Sequence, residues 1–246
     1  MPEVTPNVKL IRYTPAPEEL IAMAGKLCYS AADLDDLGEG VAERDQTKYL
    51  SRLSEMGHYS TFEHASFTFG IEGVSRSLLA QITRHRIASF SVQSQRYVGQ
   101  SGEDGIDYIL PPEIEKLGDE YAKRFADQMD MMDKWYREWL ELLGEGGKED
   151  ARFVLPNAAA TRMIVTMNAR ELNHFFALRC CNRAQWEIRD VAWQMLKLAH
   201  EAAPALFDEC GPECLRGRCP EGKMCCGRMD EVRARYDREI AGKPEA

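Results

Sequence analysis

Two short strand-like segments, each followed by a helix cap, constrain the fold of this chain most. Residues 65–71 alternate between apolar and small or polar side chains, which predicts a half-buried strand, and residues 162–167 are also strand-like. Ser75 and Asn168 follow these segments, and each side chain can accept a hydrogen bond from the free N–H groups that begin a helix. Glu171, three residues after Asn168, can complete a capping box. The chain is therefore expected to pass directly from a sheet into a helix at two places.

Hydrophobic periodicity predicts further helices around these strands. A strand is predicted at 8–11, and helices are predicted at 18–28, 43–57, 75–85, 111–143 and 185–200. Because this order is mixed rather than strictly alternating, we expect an α+β fold in which helices pack on a mainly antiparallel sheet. Four tryptophans fit the helical patterns and are predicted to be core residues, namely Trp135, Trp139, Trp186 and Trp193.

Length and charge narrow the class of protein. The 246 residues correspond to one large domain or two small ones, and a hydrophobic fraction of 44% is enough for a sizeable core. The sequence has neither an apolar run of about 18 residues nor the order of a signal peptide, so we expect a cytoplasmic protein without a membrane partner. The net charge of −9 argues against a nucleic-acid partner, because an acidic surface repels a polyphosphate chain.

The arginines are concentrated in two segments that contain almost no acid. Residues 73–102 and 151–186 together contain nine arginines and no lysine against one acid, Glu171, and therefore carry +8. The remaining 180 residues must then carry −17 for the chain to total −9. Such segregation predicts a focused site for a small anion.

The type of basic residue favours a phosphorylated ligand with a planar ring. Arginine presents a planar fork of donors that pairs bidentately with phosphate, whereas the lysine ammonium is a point charge. Four aromatic residues lie among these arginines, namely Phe90, Tyr97, Phe175 and Phe176. The alternative for any single arginine is a structural ion pair with an acid elsewhere, for example on a subunit interface.

Five of the eight cysteines crowd residues 208–246, which we predict to be a cysteine-rich tail after a domain at 1–207. They are Cys210, Cys214, Cys219, Cys225 and Cys226. Their spacing lacks the paired Cys-x2-Cys of most zinc sites, yet four thiolates are enough to close a tetrahedral site. A metal is expected ahead of disulfides because the cytosol is reducing. The tail stays open between free thiols and a structural metal, and no metal is expected in the core.

Four ordered motifs resemble those of the flavin-dependent thymidylate synthase family. The central one is Arg84-His85-Arg86, which is followed after seven residues by Ser94. Gly-His-Tyr-Ser-Thr-Phe-Glu-His precedes it at 57–64, and Ala-Arg-Phe-Val-Leu-Pro follows at 151–156. The last motif is Asn-Ala-Arg at 168–170, with Leu-Arg at 178–179 and Ala-Gln-Trp-Glu-Ile at 184–188. The resemblance extends over residues 8–205.

This resemblance implies an enzyme that methylates dUMP to dTMP. The implied carbon donor is 5,10-methylenetetrahydrofolate, the implied reductant is NADPH, and the implied hydride carrier is FAD. The resemblance also implies a homotetramer whose active sites form between subunits. FAD would then be held by a scaffold of sheet and helices, so the absence of a glycine-rich dinucleotide motif is no objection.

The site residues implied by the resemblance are carried over one by one. Arg179 is implied to contact the uracil and favour its N3-ionised form, which is electrostatic catalysis by a fixed cation. The other implied dUMP contacts are Gln81, Arg84, Ser94, Gln95, Arg96 and Arg152. The implied FAD contacts are His58, Ser60, Arg84, His85, Arg86, Asn168, Arg170 and His174. Three positions, Val92, His174 and Arg183, differ from residues common in the family.

Two alternatives compete with this interpretation. Arg179 and Arg183 could lower the pKa of a thiol in Cys180-Cys181, and the unrelated thymidylate synthases attack uracil with such a thiolate. The alternative from another class is a non-enzymatic regulator that binds a nucleotide or a metal and senses redox state through the tail.

Overall fold

The computed structural model describes residues 3–102, 105–208 and 210–242. The strands are Asn7–Tyr13 (β1), Ser66–Ser75 (β2), Ala88–Val92 (β3), Ser101–Gly102 (β4), Gly105–Ile106 (β5) and Ala160–Asn168 (β6). The helices are Pro17–Leu27 (α1), Leu34–Ala42 (α2), Thr47–Glu55 (α3), Arg76–Ile82 (α4), Pro112–Glu115 (α5), Asp119–Leu143 (α6), Lys148–Ala151 (α7), Ala169–Arg179 (α8), Trp186–Ala202 (α9), Pro204–Phe207 (α10) and Met229–Glu239 (α11). Short 3-10 helices lie at Thr61–His64, Arg152–Val154, Glu213–Leu215 and Gly222–Met224.

A four-stranded sheet in the order β1-β2-β6-β3 carries the two predicted strand-to-helix transitions. The Ser75 hydroxyl accepts from the N–H of Leu78 at 3.0 Å, and the Asn168 side chain accepts from the N–H of Glu171 at 2.9 Å. Both predicted caps are therefore confirmed. Backbone bonds join Ala169 to Ala65 and Arg76 to Ala159, so β2 and β6 run antiparallel. The predicted α+β fold with an antiparallel sheet is confirmed.

The start of the helix predicted at 43–57 is wrong. The observed helix, α3, begins at Thr47, and a separate helix, α2, precedes it and ends at Ala42. Gln46 lies between them, and its amide nitrogen donates to the carbonyl oxygens of Val41 and Arg44 at 2.7 and 2.8 Å. These bonds fix the Gln46 side chain to the last turn of α2 and to the turn that follows it. Two glycines in α2 weaken its helical signal in the sequence. Leu50 and Leu53 are buried in α3, whereas Met56, just after it, is exposed.

The long helix predicted from Pro111 begins later, at Asp119. Gly118 has φ 104°, which ends α5 before α6 begins, since a left-handed backbone interrupts helical hydrogen bonding. The buried face of α6 includes Met129 and Tyr136, and Tyr136 packs with Ile106 in the local core. The helix therefore has one face in the core and a second apolar face exposed.

Trp135 and Trp139 lie on that exposed face, so their predicted core role is wrong. Their exposed fractions are 46% and 47%, while Trp193 is 2% exposed and confirms its prediction. Trp186 is intermediate. A helix with apolar residues on two sides gives a core-like sequence pattern even when only one side is buried within the chain.

The first and the last of the helices that the sequence predicts correspond to α1 and α9. In α1, Leu27 and Cys28 are exposed, whereas Ile21 and Ala22 are fully buried. The buried face of α9 includes Ile188, Val191, Ala192, Met195 and Ala199. Two further helices, α10 and α11, follow α9.

The chain divides into two compact units, and each has a buried cluster of its own. The first consists of Met1–Asn7, Gly70–Arg84 and Phe90–Ile164, and the second of Val8–Phe69, His85–Ser89 and Val165–Ala246. In the first unit, Ile106, Tyr136, Ala151 and Ala159 form a buried cluster. In the second unit, the Phe207 ring lies edge-on to Phe67 and Phe176, with centroids 5.2 and 5.9 Å away. No helix within the described ranges is long and apolar enough to span a membrane.

Candidate active site

Two of the predicted dUMP contacts, Arg96 and Arg152, converge on Glu149 in the first unit. The Arg96 Nη1 lies 3.4 Å from the Glu149 carboxylate, and the Arg152 Nε donates to the Glu149 carbonyl oxygen at 3.0 Å. The Arg96 guanidinium also stacks over the Tyr97 ring at 5.2 Å. Arg96 and Arg152, which are 56 positions apart and come from the two arginine-rich segments, thus meet at Glu149, as an anion site requires.

Gln95 supplies an unsatisfied donor beside this arginine. Its side chain is buried, and its Nε2 has no hydrogen-bond partner among the residues that the structure describes. A buried amide without a partner costs free energy unless a ligand or water satisfies it. Ser94 accepts from the N–H of Arg96 at 3.2 Å and fixes the turn that carries both residues. The predicted nucleotide contacts at 94–96 thus include a buried amide donor that has no partner among the described residues.

Arg76 belongs to the same group, although the sequence interpretation did not assign it. Burial lowers the pKa of Arg76, and the nearby charge of Arg152 lowers it further. Its Nη1 donates to Thr161 at 3.4 Å. The only signal in the sequence was its place in the acid-free segment. Of the other predicted contacts, Gln81 is half-buried on α4 and Arg84 is exposed just after it.

In the second unit, three side chains form a hydrogen-bonded series, Glu171, His85 and Arg179. His85 and Arg179 are predicted site residues, and Glu171 is the residue of the predicted capping box. The His85 Nδ1 lies 2.9 Å from the Glu171 carboxylate, and the Arg179 Nε donates to the His85 Nε2 at 3.1 Å. Because Nε2 accepts a hydrogen bond, His85 is neutral and its proton is on Nδ1, which donates to Glu171. Glu171 therefore fixes the histidine tautomer that orients Arg179, instead of completing the predicted capping box.

The environment of His85 supports this neutral form. Burial lowers the pKa of His85, opposed by the hydrogen bond to Glu171, and the charge of Arg179 lowers it further. The His174 and Phe175 rings contact the imidazole edge-on, at centroid distances of 5.9 and 4.9 Å. His85, which is predicted to contact FAD, is only 5% exposed. Both of its ring nitrogens form hydrogen bonds with protein side chains.

Replacing His85 with glutamine is expected to remove a pH-dependent part of the stability. At pH ~8 the variant should lose about 1–3 kcal/mol, because a glutamine amide does not place its donor and acceptor where the two ring nitrogens bond Glu171 and Arg179. A lowered histidine pKa means that the unfolded chain binds the proton more readily, so this stabilisation is lost as pH falls below about 6.5. Urea denaturation of both proteins should show the difference narrowing from pH ~8 to ~5.5. A constant difference would contradict it, and His174→Gln, at an exposed ring, is the control.

A cavity of about 530 Å³ in the second unit contains three of the predicted FAD contacts, Asn168, Arg170 and His174. Tyr59 and Ile87 provide apolar surface in its lining, and Arg170 forms an ion pair with Glu63. The other predicted contacts His58, Ser60, Arg84 and Arg86 are exposed and do not line this cavity. A larger cavity of about 760 Å³ in the first unit includes Arg162 and none of the predicted site residues.

The lining of the smaller cavity fits a flavin dinucleotide in chemistry. FAD combines a planar apolar ring with a diphosphate, and the cavity offers an aromatic ring, an aliphatic side chain and guanidinium groups. Its volume lies within the range of cofactor sites. Asn168 keeps its side-chain oxygen in the helix cap, so its amide nitrogen points away from the cap as a donor.

The cysteines contribute no activated thiolate at Cys180. Burial raises the pKa of the Cys180 thiol well above its usual value, which opposes the catalytic-cysteine alternative. In the tail, Cys210 and Cys214 are buried, Cys219 and Cys225 are intermediate, and Cys226 is exposed. The described ranges contain no group of three or more His, Cys, Asp or Glu arranged to hold a metal ion. A metal in the tail stays a prediction.

Comparisons with known proteins agree with the motifs. The family described as "Thymidylate synthase complementing protein" matches residues 9–205. A flavin-dependent thymidylate synthase of Geobacter sulfurreducens is 49% identical over 236 residues, covering 96% of this chain and 99% of the relative. One of Clostridium tetani is 46% identical over 244 residues, covering 94% and 96%.

Solved structures give the same result for the fold. A UMP/dUMP methylase from Streptomyces cacaoi, bound with 5-Br dUMP, aligns with TM-score 0.70 and 22% identity over 85% of this chain and 96% of that one. A flavin-dependent thymidylate synthase of Helicobacter pylori, complexed with FAD and dUMP, aligns with TM-score 0.65 and 26% identity over 83% and 99%. The matched family, the relatives and the shared fold together show that this chain belongs to the flavin-dependent thymidylate synthases.

Proposed function

We propose that this enzyme methylates dUMP to dTMP, with 5,10-methylenetetrahydrofolate as carbon donor, FAD as hydride carrier and NADPH as reductant. The observation that carries the proposal is the convergence of Arg96 and Arg152 on Glu149, beside the unpaired amide of Gln95. Family membership decides for an enzyme and against the non-enzymatic regulator.

The arginine group would bind the nucleotide phosphate by exchange. The Arg96–Glu149 pair is exposed, and such pairs contribute little to stability, so a phosphate dianion can replace the carboxylate. Arg96 and Arg152 would then clamp the phosphate, Arg84 and Gln81 would complete the shell, and the Gln95 amide would donate to the nucleotide. Arg76 raises the local positive potential next to Arg152.

Arg179 would polarise the uracil ring. A guanidinium next to a uracil carbonyl favours the N3-ionised form and stabilises negative charge as the ring is attacked. The hydrogen bond from its Nε to neutral His85 orients this guanidinium before substrate binds. His85 therefore acts as a positioning residue for Arg179. The flavin, when bound, supplies the hydride chemistry, and Asn168, Arg170 and His174 would hold it.

The test of this function is spectroscopic. The purified protein reconstituted with FAD should be yellow, should bleach with NADPH under anaerobic conditions, and should reoxidise on addition of dUMP and methylenetetrahydrofolate with formation of dTMP. A protein that does not bind FAD, or that reoxidises without producing dTMP, would refute the proposal.

Arg152→Gln is expected to weaken dUMP binding by about 10–100-fold. Losing a charge-assisted hydrogen bond costs about 1.5–3 kcal/mol, and the salt dependence of binding should fall because one cation is removed. Calorimetric titration of dUMP at two salt concentrations measures both effects. The control is Arg162→Gln, which removes an exposed arginine of the same unit. Arg162 lines the cavity of about 760 Å³, which contains none of the predicted site residues. Equal affinities of Arg152→Gln and wild type would exclude the phosphate clamp.

The proposed assembly is a homotetramer with active sites at subunit interfaces. Support comes from the exposed apolar face of α6, which lies in the first unit. Five residues share this face within about 80° of helical rotation, namely Tyr121, Met131, Trp135, Trp139 and Leu142. A cluster of large exposed apolar side chains on one helix face is typical of a protein interface.

The proposed compartment is the cytoplasm, which is consistent with eight free cysteines. The proposed division into a catalytic domain at 1–207 and a tail at 208–246 is a division by function. It does not follow the compact units, because the second unit contains residues on both sides of this boundary. The family match ends at residue 205, close to the proposed boundary.

A further inference from the structure

The cavity that contains the proposed flavin contacts is also lined by the cysteine-rich tail. Cys210, Glu213 and Arg216 face the same cavity of about 530 Å³ as Asn168 and Arg170. All three tail residues lie beyond residue 205, where the family match ends. The tail therefore supplies part of a cavity wall that the family motifs do not account for.

This part of the tail is fixed to the second unit by several contacts. The Cys210 Sγ lies 2.6 Å from the Asn173 side-chain oxygen on α8. Arg233, on α11, donates to the carbonyl oxygens of Cys214 and Gly217 at 3.0 and 3.1 Å. These bonds flank Arg216 on both sides. Because the backbone is held, Arg216 is presented to the cavity at a defined place.

The charges of the cavity wall suit a dianion. Arg170 is paired with Glu63, and the Arg216 Nη2 lies 3.4 Å from the Glu213 carboxylate. Both pairs are substantially exposed, so each contributes little and can exchange its carboxylate for a stronger acceptor. Two guanidinium forks match the two negative charges of a dinucleotide diphosphate.

We propose that Arg216 of the tail binds the diphosphate of the flavin dinucleotide together with Arg170, so that the tail is part of the cofactor site. This inference rests on the proposed function, because the ligand is FAD. Glu213 then competes with the cofactor for Arg216 and weakens the binding of FAD.

The test measures FAD binding to the full-length apoprotein by flavin fluorescence. Arg216→Gln should weaken FAD binding about tenfold or more, and should leave the binding of riboflavin, which has no phosphate, unchanged. Glu213→Gln should strengthen FAD binding, because it frees the guanidinium and removes a negative charge. Arg218→Gln, an exposed arginine two residues away that does not line the cavity, is the matched control.

The outcomes separate the inference from the proposed function. If wild type does not bind FAD, the proposed function fails. If wild type binds FAD but Arg216→Gln behaves like Arg218→Gln, or loses riboflavin affinity equally, the role of Arg216 is overturned. Arg216→Lys keeps the charge without the fork and should recover only part of the affinity. Circular dichroism spectra equal to wild type establish that the variants fold.

Discussion

Arg179→Ala should lower kcat for dTMP formation by about 10²–10³-fold while the protein keeps its flavin spectrum. The magnitude is that of removing one preorganised electrostatic donor from an active site. Arg179 ends α8, and its Nε is held at 3.1 Å from the His85 Nε2, so its direction is set before substrate binds. Alanine removes the cation but leaves His85 with its Glu171 partner, and the fold should therefore persist.

Steady-state kinetics with reconstituted enzyme, followed by absorbance at the flavin band, measures this effect. Arg179→Lys should recover little activity, because an ammonium on a flexible stem lacks the Nε–H that His85 orients. Arg238→Ala, on the exposed side of α11, controls for loss of an arginine charge. A kcat within threefold of wild type in Arg179→Ala would exclude Arg179 from the chemistry.

Trp135→Glu combined with Trp139→Glu should dissociate the proposed homotetramer and reduce activity at least about 100-fold. The two indoles are nearly half exposed within the chain, and burying such side chains contributes most of the free energy of an interface. Two carboxylates on the same face would have to be buried unpaired, which costs several kcal/mol each. Activity should fall with assembly if the active sites form between subunits.

Sedimentation and size-exclusion measurements determine the mass of the variant. Lys123→Gln combined with Lys134→Gln changes the net charge by the same two units on the adjacent polar face of α6, and should leave the tetramer intact. A variant with glutamates at both tryptophan positions that still forms tetramers would place the interface elsewhere.

Local hydrogen bonding made the strand-to-helix transitions predictable. Ser75 and Asn168 bond to N–H groups three residues away, so the sequence contains both partners of each bond. The pairing of His85 with Glu171 joins residues 86 positions apart, and no local pattern specifies it. The same holds for Arg76, whose neighbour Arg152 lies 76 positions further along the chain.

The exposed face of α6 was misread for a related reason. Periodicity reports which residues share a face, but not whether the core, a partner or solvent covers that face. The segregation of arginine from acidic residues is a more direct signal, because the charges in each segment can be counted from the sequence. It predicted an anion site, and the residues that converge on Glu149 come from those segments.

Three of the arginines proposed to hold a phosphate, Arg96, Arg170 and Arg216, each have an acidic partner within the same unit, namely Glu149, Glu63 and Glu213. Ligand binding is then an exchange of one anion for another, and the number of ion pairs hardly changes. Chloride has a single charge and no set of acceptor oxygens, so it has little advantage over a carboxylate as a partner of arginine. A phosphate dianion has a second charge and several acceptor oxygens. The carboxylates thereby make these sites selective for phosphate esters at the salt concentrations of a cell.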